Sequence, residues 1–286
     1  MPTLPPEDLA LLAGAVAQLE RPGLAGRLAT LVGTPVEKLL DRLPTAIQEQ
    51  IQHVTEEALS KALQVAMKTL DGQSAKAPWN LAHKVAATMS GVTGGMFGAP
   101  ALVAELPVTT VIILRSIADI ARSKGENLAD AEVRLACLEV FALGSGDERA
   151  PGGAVDVISP EAGAEAKAIR AGYFFTRAAM AQQVTAAAEI LTRGAASGSS
   201  SALTRLISSI ASRFGVAVSE KVAAQAVPIV GGIGGGLINA LFVDHFQKTA
   251  DAHFTVRRLE RRYGAEEVRW QYERLAAVDP TAAPSQ

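Results

Sequence analysis

The feature that most constrains this fold is a glycine-rich apolar stretch in the last quarter of the chain. Residues 227–242 read VPIVGGIGGGLINALF, with five glycines in six consecutive positions, and a second stretch, GVTGGMFGAP, covers residues 91–100. Such stretches have three explanations: a phosphate-binding loop, a segment that enters a membrane, or a helix face that a second backbone approaches closely. Each explanation predicts a different class of protein.

Neither stretch carries a nucleotide-binding signature. A Walker loop ends in Lys followed by Ser or Thr, and neither stretch contains that pair. The dinucleotide fingerprint needs glycines at relative positions 0, 2 and 5. The last position is Leu237 when counted from Gly232 and Asn239 when counted from Gly234. The sequence therefore argues against a nucleotide site, and we predict no cofactor.

Both stretches, if helical, place small residues four positions apart on one face. Such spacing opens a groove in which another helix can lie close. Each helical glycine costs about 1 kcal/mol relative to alanine, so close contact has to compensate for several of them. We predict a packing seam between two central helices, formed by Gly91, Gly95, Gly231, Gly232, Gly235 and Gly236.

Membrane insertion of the same segments is the alternative to this seam. Residues 222–243 carry no charge and are numerous enough to cross a hydrocarbon core. Glycine contributes little transfer free energy, however, and each segment also contains proline and polar residues. A permanent span is therefore disfavoured, whereas reversible insertion of a helical hairpin, or burial until a partner opens the fold, stays open.

The remaining composition favours helices. Alanine and leucine dominate, aromatic residues make up only 5%, and alternation of β-branched residues is rare. We predict a single all-α domain with the two Gly-rich helices packed at its centre. Its predicted parts are short proline-separated helices in 1–44, an all-α domain in 45–275 and a disordered tail in 276–286. Helices are predicted over 45–70, from near Pro78 into the first Gly-rich stretch, from Pro107 to 124, and over 129–143, 161–194, 202–226, the Gly-rich stretch to Tyr263, and 265–277.

Charge and cysteine usage exclude several functions. The net charge is −2, which gives no general attraction to nucleic acid. Cys137 is the only cysteine, so an intramolecular disulfide and a multi-cysteine metal site are excluded. The first residues include Glu7 and Asp8 and no basic residue before Arg21, unlike a secretory signal. We therefore expect a cytoplasmic protein.

Polar residues fall on the apolar face of the helix that follows the second Gly-rich stretch. Winding 241–263 at 100° per residue places His245, His253 and Glu260 inside an apolar arc, with Arg257 at its edge. In the helix after Pro107, a narrow polar stripe contains Arg115 and Asp119. We predict that the two sets meet in a buried network, Arg115 with Glu260 and Asp119 with Arg257 or His253.

This network has a structural and a catalytic interpretation. In the structural one, satisfied polar groups fix how two central helices align. In the catalytic one, His253 with Asp119 or Glu260 performs acid–base chemistry, as in a hydrolase. His245 and His253 lack an HExxH-type spacing, so no metal site is predicted. The motif YFFTR, residues 173–177, is interpreted as core packing.

Three long blocks resemble the EcsC family of bacterial proteins. They are GVTGGMFGAPALVAELPVTTVIILRSIADIARSKGEN, CLEVFALGS and VPIVGGIGGGLINALFVDHFQKTADAHFTVRRLERRYG, within a resemblance from about residue 45 to 272. The resemblance marks as motif positions Pro107, Arg115, Asp119, Gly144, Ser145, Asn239, Asp244, His253 and Arg257. The family's namesake is encoded beside an ABC transporter, and the resemblance implies no established catalytic residues.

These observations lead to one functional hypothesis and two alternatives. We expect a non-enzymatic helical module, peripheral at the inner face of the cell membrane, that binds membrane lipid or a membrane protein such as an ABC transporter. The alternatives are a hydrolase using His253, Asp119 and Glu260, and a carrier of lipid or another small apolar ligand. No oligomeric state is predicted.

Overall fold

The chain is helical throughout the part that its computed structural model describes, residues 4–20, 24–41, 43–69, 98–145, 172–193, 201–227 and 233–277. Within these ranges there are ten α-helices and no strand, which confirms the predicted all-α class. The helices are α1 (Pro6–Leu19), α2 (Leu24–Val32), α3 (Val36–Leu40), α4 (Thr45–Thr69), α5 (Gly98–Ser123), α6 (Ala131–Leu143), α7 (Gly172–Thr192), α8 (Ser201–Gln225), α9 (Ile233–Tyr263) and α10 (Ala265–Ala277).

Proline and glycine set several of the helix ends. Pro35 and Pro44 directly precede α3 and α4, where a proline costs little because the first helical N–H groups have no intrahelical acceptor. Gly264 separates α9 from α10 with a φ of +93°, a conformation that residues with a Cβ rarely adopt. These breaks lie where the sequence predicts them.

Pro107 does not begin a helix, and that prediction is wrong. It lies inside α5, which starts at Gly98. The fixed φ of proline fits a helix, and its main cost is one lost backbone hydrogen bond. Pro107 and Leu106 are both buried, so packing on both sides of the proline can hold the helix together.

Several predicted features lie outside the described residues. They are the helix starting near Pro78, the Gly-rich residues 91–97, the loop residues 146–160, the connector 194–200 and the tail 278–286. The predicted boundary between residues 44 and 45 stays a prediction, although Leu24, Leu28 and Val36 of the N-terminal helices are buried in the main core.

The main core is built around four phenylalanines from three helices. Phe141 of α6, Phe214 of α8, and Phe242 and Phe246 of α9 are all 0% exposed. Their ring centroids lie 4.7 to 6.0 Å apart in tilted and edge-on pairs. Burying each ring contributes about 1.5–3 kcal/mol, so this group fixes how α6, α8 and α9 meet.

A second apolar cluster surrounds the C-terminal half of α9. It joins Leu12 and Val16 of α1 to Val256 of α9 and Tyr272 of α10, and it includes Tyr173 of α7. Because α9 passes through both clusters and contacts α1, α2, α5, α6, α8 and α10, it is the central element of the fold. Polar residues on its buried faces therefore lie among several other helices.

Candidate functional site

Two histidines on α9 are buried, as the helical winding predicts. His245 is 5% exposed and His253 is 0% exposed. Burial lowers the pKa of both imidazoles, and for His253 the guanidiniums of Arg177 and Arg257 lower the pKa further. Both rings are therefore neutral near pH 7, and each offers one hydrogen-bond donor and one acceptor.

His253 is held by a tyrosine and an arginine of α7. The hydroxyl of Tyr173 lies 2.9 Å from Nδ1 of His253, and Nη1 of Arg177 lies 3.2 Å from the same hydroxyl. A guanidinium can only donate, so the phenol oxygen accepts from Arg177, and we assign the phenol proton to the hydrogen bond with Nδ1. The neutral ring then carries its proton on Nε2. That buried N–H has no hydrogen-bond partner among the described residues.

Arg177 links this pair to a carboxylate on α9. Its Nη1 and Nη2 donate to the two carboxylate oxygens of Glu260 at 2.8 and 3.2 Å, a bidentate arrangement. The guanidinium carbon also lies 5.4 Å from the ring centroid of Tyr173. Burial raises the pKa of the Tyr173 hydroxyl, so this residue remains a neutral phenol. The chain Glu260–Arg177–Tyr173–His253 is therefore continuous.

A second carboxylate fixes the start of α7. The oxygens of Glu20 accept from the backbone N–H of Gly172 at 3.2 Å and of Tyr173 at 3.3 Å, in the manner of a helix cap. The hydroxyl of Tyr272 donates to Glu20 at 2.8 Å, and its ring stacks on Tyr173 at 5.4 Å. These contacts orient the Tyr173 hydroxyl toward His253.

Two further carboxylates lie beside the same arginines. Nε of Arg257 donates to Glu126 at 2.9 Å, and Arg261 donates to the same carboxylate. Glu139 of α6 is 6% exposed, and burial raises its pKa to about 7 although Arg177 and Arg257 lower it. Glu139 is thus a carboxylic acid that titrates near neutral pH.

The pairings predicted for the α5 stripe are wrong. Asp119 pairs with Arg122 on its own helix at 3.1 Å, and their side chains are 53% and 54% exposed. Arg115 does not meet Glu260, whose carboxylate is bound by Arg177. The physical reason is that α5 buries Ile113, Leu114 and Ile117, which leaves its charged stripe toward solvent. Of the three predicted catalytic residues, His253 and Glu260 share a cluster and Asp119 lies outside it.

His245 has a different role from His253. Its Nε2 donates to the backbone carbonyl of Gly144, just beyond the end of α6, and so satisfies a carbonyl that the helix leaves free. In the described residues no group of three His, Cys, Asp or Glu side chains is placed to hold a metal ion.

The partners of His253 and Glu260 do not follow from the sequence patterns. The motif with Tyr173 and Arg177 is interpreted as core packing, although their i, i+4 spacing puts both residues on one helix face. Glu139 is absent from the predicted site, and the only sequence signal for it is a single carboxylate inside the apolar run LACLEVFAL. A lone acid in such a run needs either a partner or a raised pKa.

A buried ion pair between α8 and α5 is a further feature that the sequence does not predict. Nζ of Lys221 lies 2.6 Å from Oε1 of Glu105, and their side chains are 1% and 9% exposed. The ammonium group is also 5.1 Å from the ring centroid of Phe242. Burial lowers the pKa of Lys221, and the attraction of Glu105 opposes that shift. No local pattern in SEKVAAQ distinguishes this lysine from one in solvent.

The glycine seam stays a prediction. Gly91, Gly95, Gly231 and Gly232 lie outside the described residues, and Gly235 belongs to α9. A Cβ built on Gly236 would meet no heavy atom within 4 Å in the described part of the chain. None of the helices in that part is both long and apolar enough to cross a membrane.

Comparison with known proteins identifies a family. The model of the EcsC protein family matches residues 15–259, which is most of the chain and extends farther toward the N-terminus than the resemblance read from the sequence. No curated protein and no solved structure matches the chain. The match includes all of α2 to α8 and the Lys221–Glu105 pair. The chain of contacts Glu260–Arg177–Tyr173–His253, which we call the His253 cluster, lies within it except for Glu260. The chain belongs to the EcsC protein family.

Proposed function

We propose that this EcsC-family chain is a non-enzymatic, peripheral membrane protein that docks on a lipid surface through the N-terminal turns of α5 and α9. The observation that carries the proposal is the position of two exposed aliphatic side chains. Val108 of α5 is 43% exposed and Leu237 of α9 is 46% exposed. In the sequence, Val108 comes after the first Gly-rich stretch, residues 91–100, and Leu237 lies within the second, residues 227–242.

The ion pairs along α5 and α9 indicate that the two helices run in the same direction. Near their beginnings, Lys221 bridges Glu105 of α5 and Phe242 of α9. Farther along both helices, Lys124 just after α5 pairs with Asp251 in the second half of α9 at 2.7 Å. The N-terminal parts of both helices, with Val108 and Leu237, therefore lie at the same end of this helix pair.

The docking proposed here relies on apolar contact rather than on charge. Transferring two half-exposed aliphatic side chains into an apolar phase gains about 1–3 kcal/mol in total, which is too little for stable binding alone. In the sequence, the segments that precede α5 and α9 also contain apolar residues, such as Met96, Phe97, Ile229 and Val230. Since the net charge is −2, we expect binding to zwitterionic phosphatidylcholine and little sensitivity to salt.

Vesicle flotation tests the proposal. The wild-type chain, the double variant Val108→Glu/Leu237→Glu and the control Leu11→Glu are mixed with phosphatidylcholine vesicles in low and high salt. Leu11 is a matched control because it is 46% exposed, as Leu237 is, and lies on α1. We expect the wild type and Leu11→Glu to float at both salt concentrations and the double variant to stay at the bottom of the gradient.

Two outcomes contradict lipid docking. One is that the wild-type chain does not float with vesicles of any composition. In that case, binding to native membranes that is lost after protease treatment would point to a membrane-protein partner instead. The other is that the double variant, shown by circular dichroism to be folded, floats as well as the wild type does.

A further inference from the structure

We propose that the His253 cluster is a binding site for a small oxyanion, a carboxylate or sulfate-like group, whose oxygen accepts the ring N–H of His253 and whose uptake is coupled to a proton on Glu139. This site is independent of the docking end. It rests on an unpaired donor, on the charges around that donor and on access from solvent.

The unpaired donor is Nε2 of His253. The ring is 0% exposed, and its Nδ1 is occupied by the Tyr173 hydroxyl at 2.9 Å. Nε2 has no partner among the described residues. An unmet buried N–H costs about 1–3 kcal/mol, so the folded protein gains from an acceptor at this position. An oxyanion oxygen is such an acceptor, and a charged acceptor bonds more strongly than a neutral one.

The charged side chains around the site favour the binding of one anion. Three guanidiniums, those of Arg177, Arg257 and Arg261, share two carboxylates: Arg177 binds Glu260, and the other two bind Glu126. The excess positive charge can be balanced either by an ionised Glu139 or by a bound anion. The two alternatives compete, so a protonated Glu139 favours the anion.

Glu139 lies in the same region of the helix bundle as His253. Gly144, after α6, contacts His245 of α9, whereas Glu126, before α6, contacts Arg257. Helices α6 and α9 are therefore antiparallel. Along their axes, Glu139 lies between these two contacts, close to the height of His253.

The groups that set the ionisation of Glu139 come from three helices. Burial raises its pKa to about 7, Arg177 of α7 and Arg257 of α9 lower the pKa, and Glu132 on its own helix raises it. Glu139 in turn raises the pKa of Tyr173 of α7 and of Cys137 on α6.

Solvent reaches the cluster on its arginine side. The side chains of Arg177, Arg257 and Glu260 are 22%, 17% and 13% exposed, whereas His253 behind them is not exposed. A small ion can thus reach the guanidiniums from solvent, and the positive charge of Arg177 and Arg257 extends to the buried imidazole, whose pKa it lowers.

The test is a titration of the full chain, labelled with ¹⁵N at histidine, with sodium acetate and sodium sulfate at pH 6 and pH 8 and constant ionic strength. Neither probe changes its charge between these pH values. We expect a saturable shift of the His253 Nε2 resonance at pH 6. The apparent affinity should be about tenfold lower at pH 8, because a group with a pKa of about 7 changes from mostly protonated to mostly ionised.

Variants test separately whether His253 binds the anion and whether protonation of Glu139 is coupled to that binding. Glu139→Gln should bind with the same affinity at both pH values, and His253→Phe should abolish saturable binding, read by calorimetry. The control Asp119→Asn removes an exposed carboxylate outside the cluster and should behave as the wild type. Saturation by acetate alone assigns a carboxylate ligand, and saturation by sulfate alone assigns a tetrahedral one.

Three results overturn the proposal. They are no saturable shift with either probe at pH 6, an affinity that is the same at both pH values in the wild type, and an unchanged pH dependence in Glu139→Gln. Glutamine matches the protonated form of Glu139 in charge and shape. The pH dependence of binding in Glu139→Gln therefore remains a decisive measurement even if His253→Phe does not fold.

Discussion

At the scale of single residues, Glu139 has the most consequential environment. It is a carboxyl group at 6% exposure on a helix whose other buried residues are almost all apolar. Burial raises its pKa from 4.5 to about 7, because removing the ionised form from water costs more than Arg177 and Arg257 return. The ionised form is therefore a source of instability in the folded protein.

Glu139 predicts a definite pH dependence of stability. Below about pH 4.5 the carboxyl is protonated in both the folded and the unfolded chain, and the folded state has no penalty. As pH rises from there through about 7, the unfolded chain ionises first, so the free energy of unfolding falls by an amount on the order of 3 kcal/mol. Glu139→Gln should remove that fall.

Urea unfolding of the wild type and Glu139→Gln at pH 5 and pH 8 checks this prediction. We expect the variant to be more stable than the wild type at pH 8, and the difference to be much smaller at pH 5. Equal stability of the two proteins at pH 8 would show that Glu139 is well solvated or fully paired.

The residues around His253 show how far sequence alone can lead. The winding of 241–263 correctly places His245 and His253 in the interior, because periodicity encodes which face of a helix is buried. It does not encode the partner. Tyr173 meets His253 across 80 positions of sequence, and Arg177 meets Glu260 across 83. Such pairings depend on how α7 packs against α9, which no local pattern specifies.

At the scale of helices, the contact between the end of α6 and α9 leaves no space for a side chain at Gly144. A Cβ built on Gly144 would lie 2.6 and 2.8 Å from ring atoms of Phe246, closer than real Cβ contacts. The backbone of Gly144 has an ordinary helical conformation, with φ of −78°. Glycine is therefore required here by the approach of α9 and not by its backbone angles.

Substituting Gly144 with alanine should destabilise the protein by about 1–3 kcal/mol, because the ring of Phe246 must move within a packed core. The matched control is Gly14→Ala in α1, where a Cβ would meet nothing within 4 Å. Alanine at position 14 should be neutral or stabilise by up to about 1 kcal/mol through its helix propensity. Chemical denaturation measures both, and equal effects of the two substitutions would contradict the close approach.

Helix positions were easier to predict than helix contacts. The predicted helices at 45–70, 202–226 and 265–277 agree with α4, α8 and α10 to within a residue at each end, because proline, glycine and apolar periodicity mark them locally. Pro107 shows the limit of this approach, since a local breaker lies inside a helix that tertiary packing maintains. The Lys221–Glu105 pair shows the same limit for charged residues, because tertiary packing buries a lysine that no local pattern marks as buried.

At the scale of the whole molecule, α9 connects two regions with different proposed roles. Its first turns carry the exposed Leu237, and its C-terminal half carries the polar cluster around His253. We propose that lipid meets the first of these two regions. Leu237 then enters an apolar phase, whereas the residues of α1 remain in water.

The most direct test of this claim uses an environment-sensitive NBD label at a single introduced cysteine. Cys137 is 0% exposed, and burial raises the pKa of its thiol to about 12, so it should not react in the folded protein. Leu237→Cys and Leu11→Cys place the label at two equally exposed positions, one at the proposed docking end and one on α1. On addition of phosphatidylcholine vesicles, we predict a blue shift and brighter emission at position 237 and no change at position 11. Unchanged emission at position 237, or equal changes at both positions, would contradict the account.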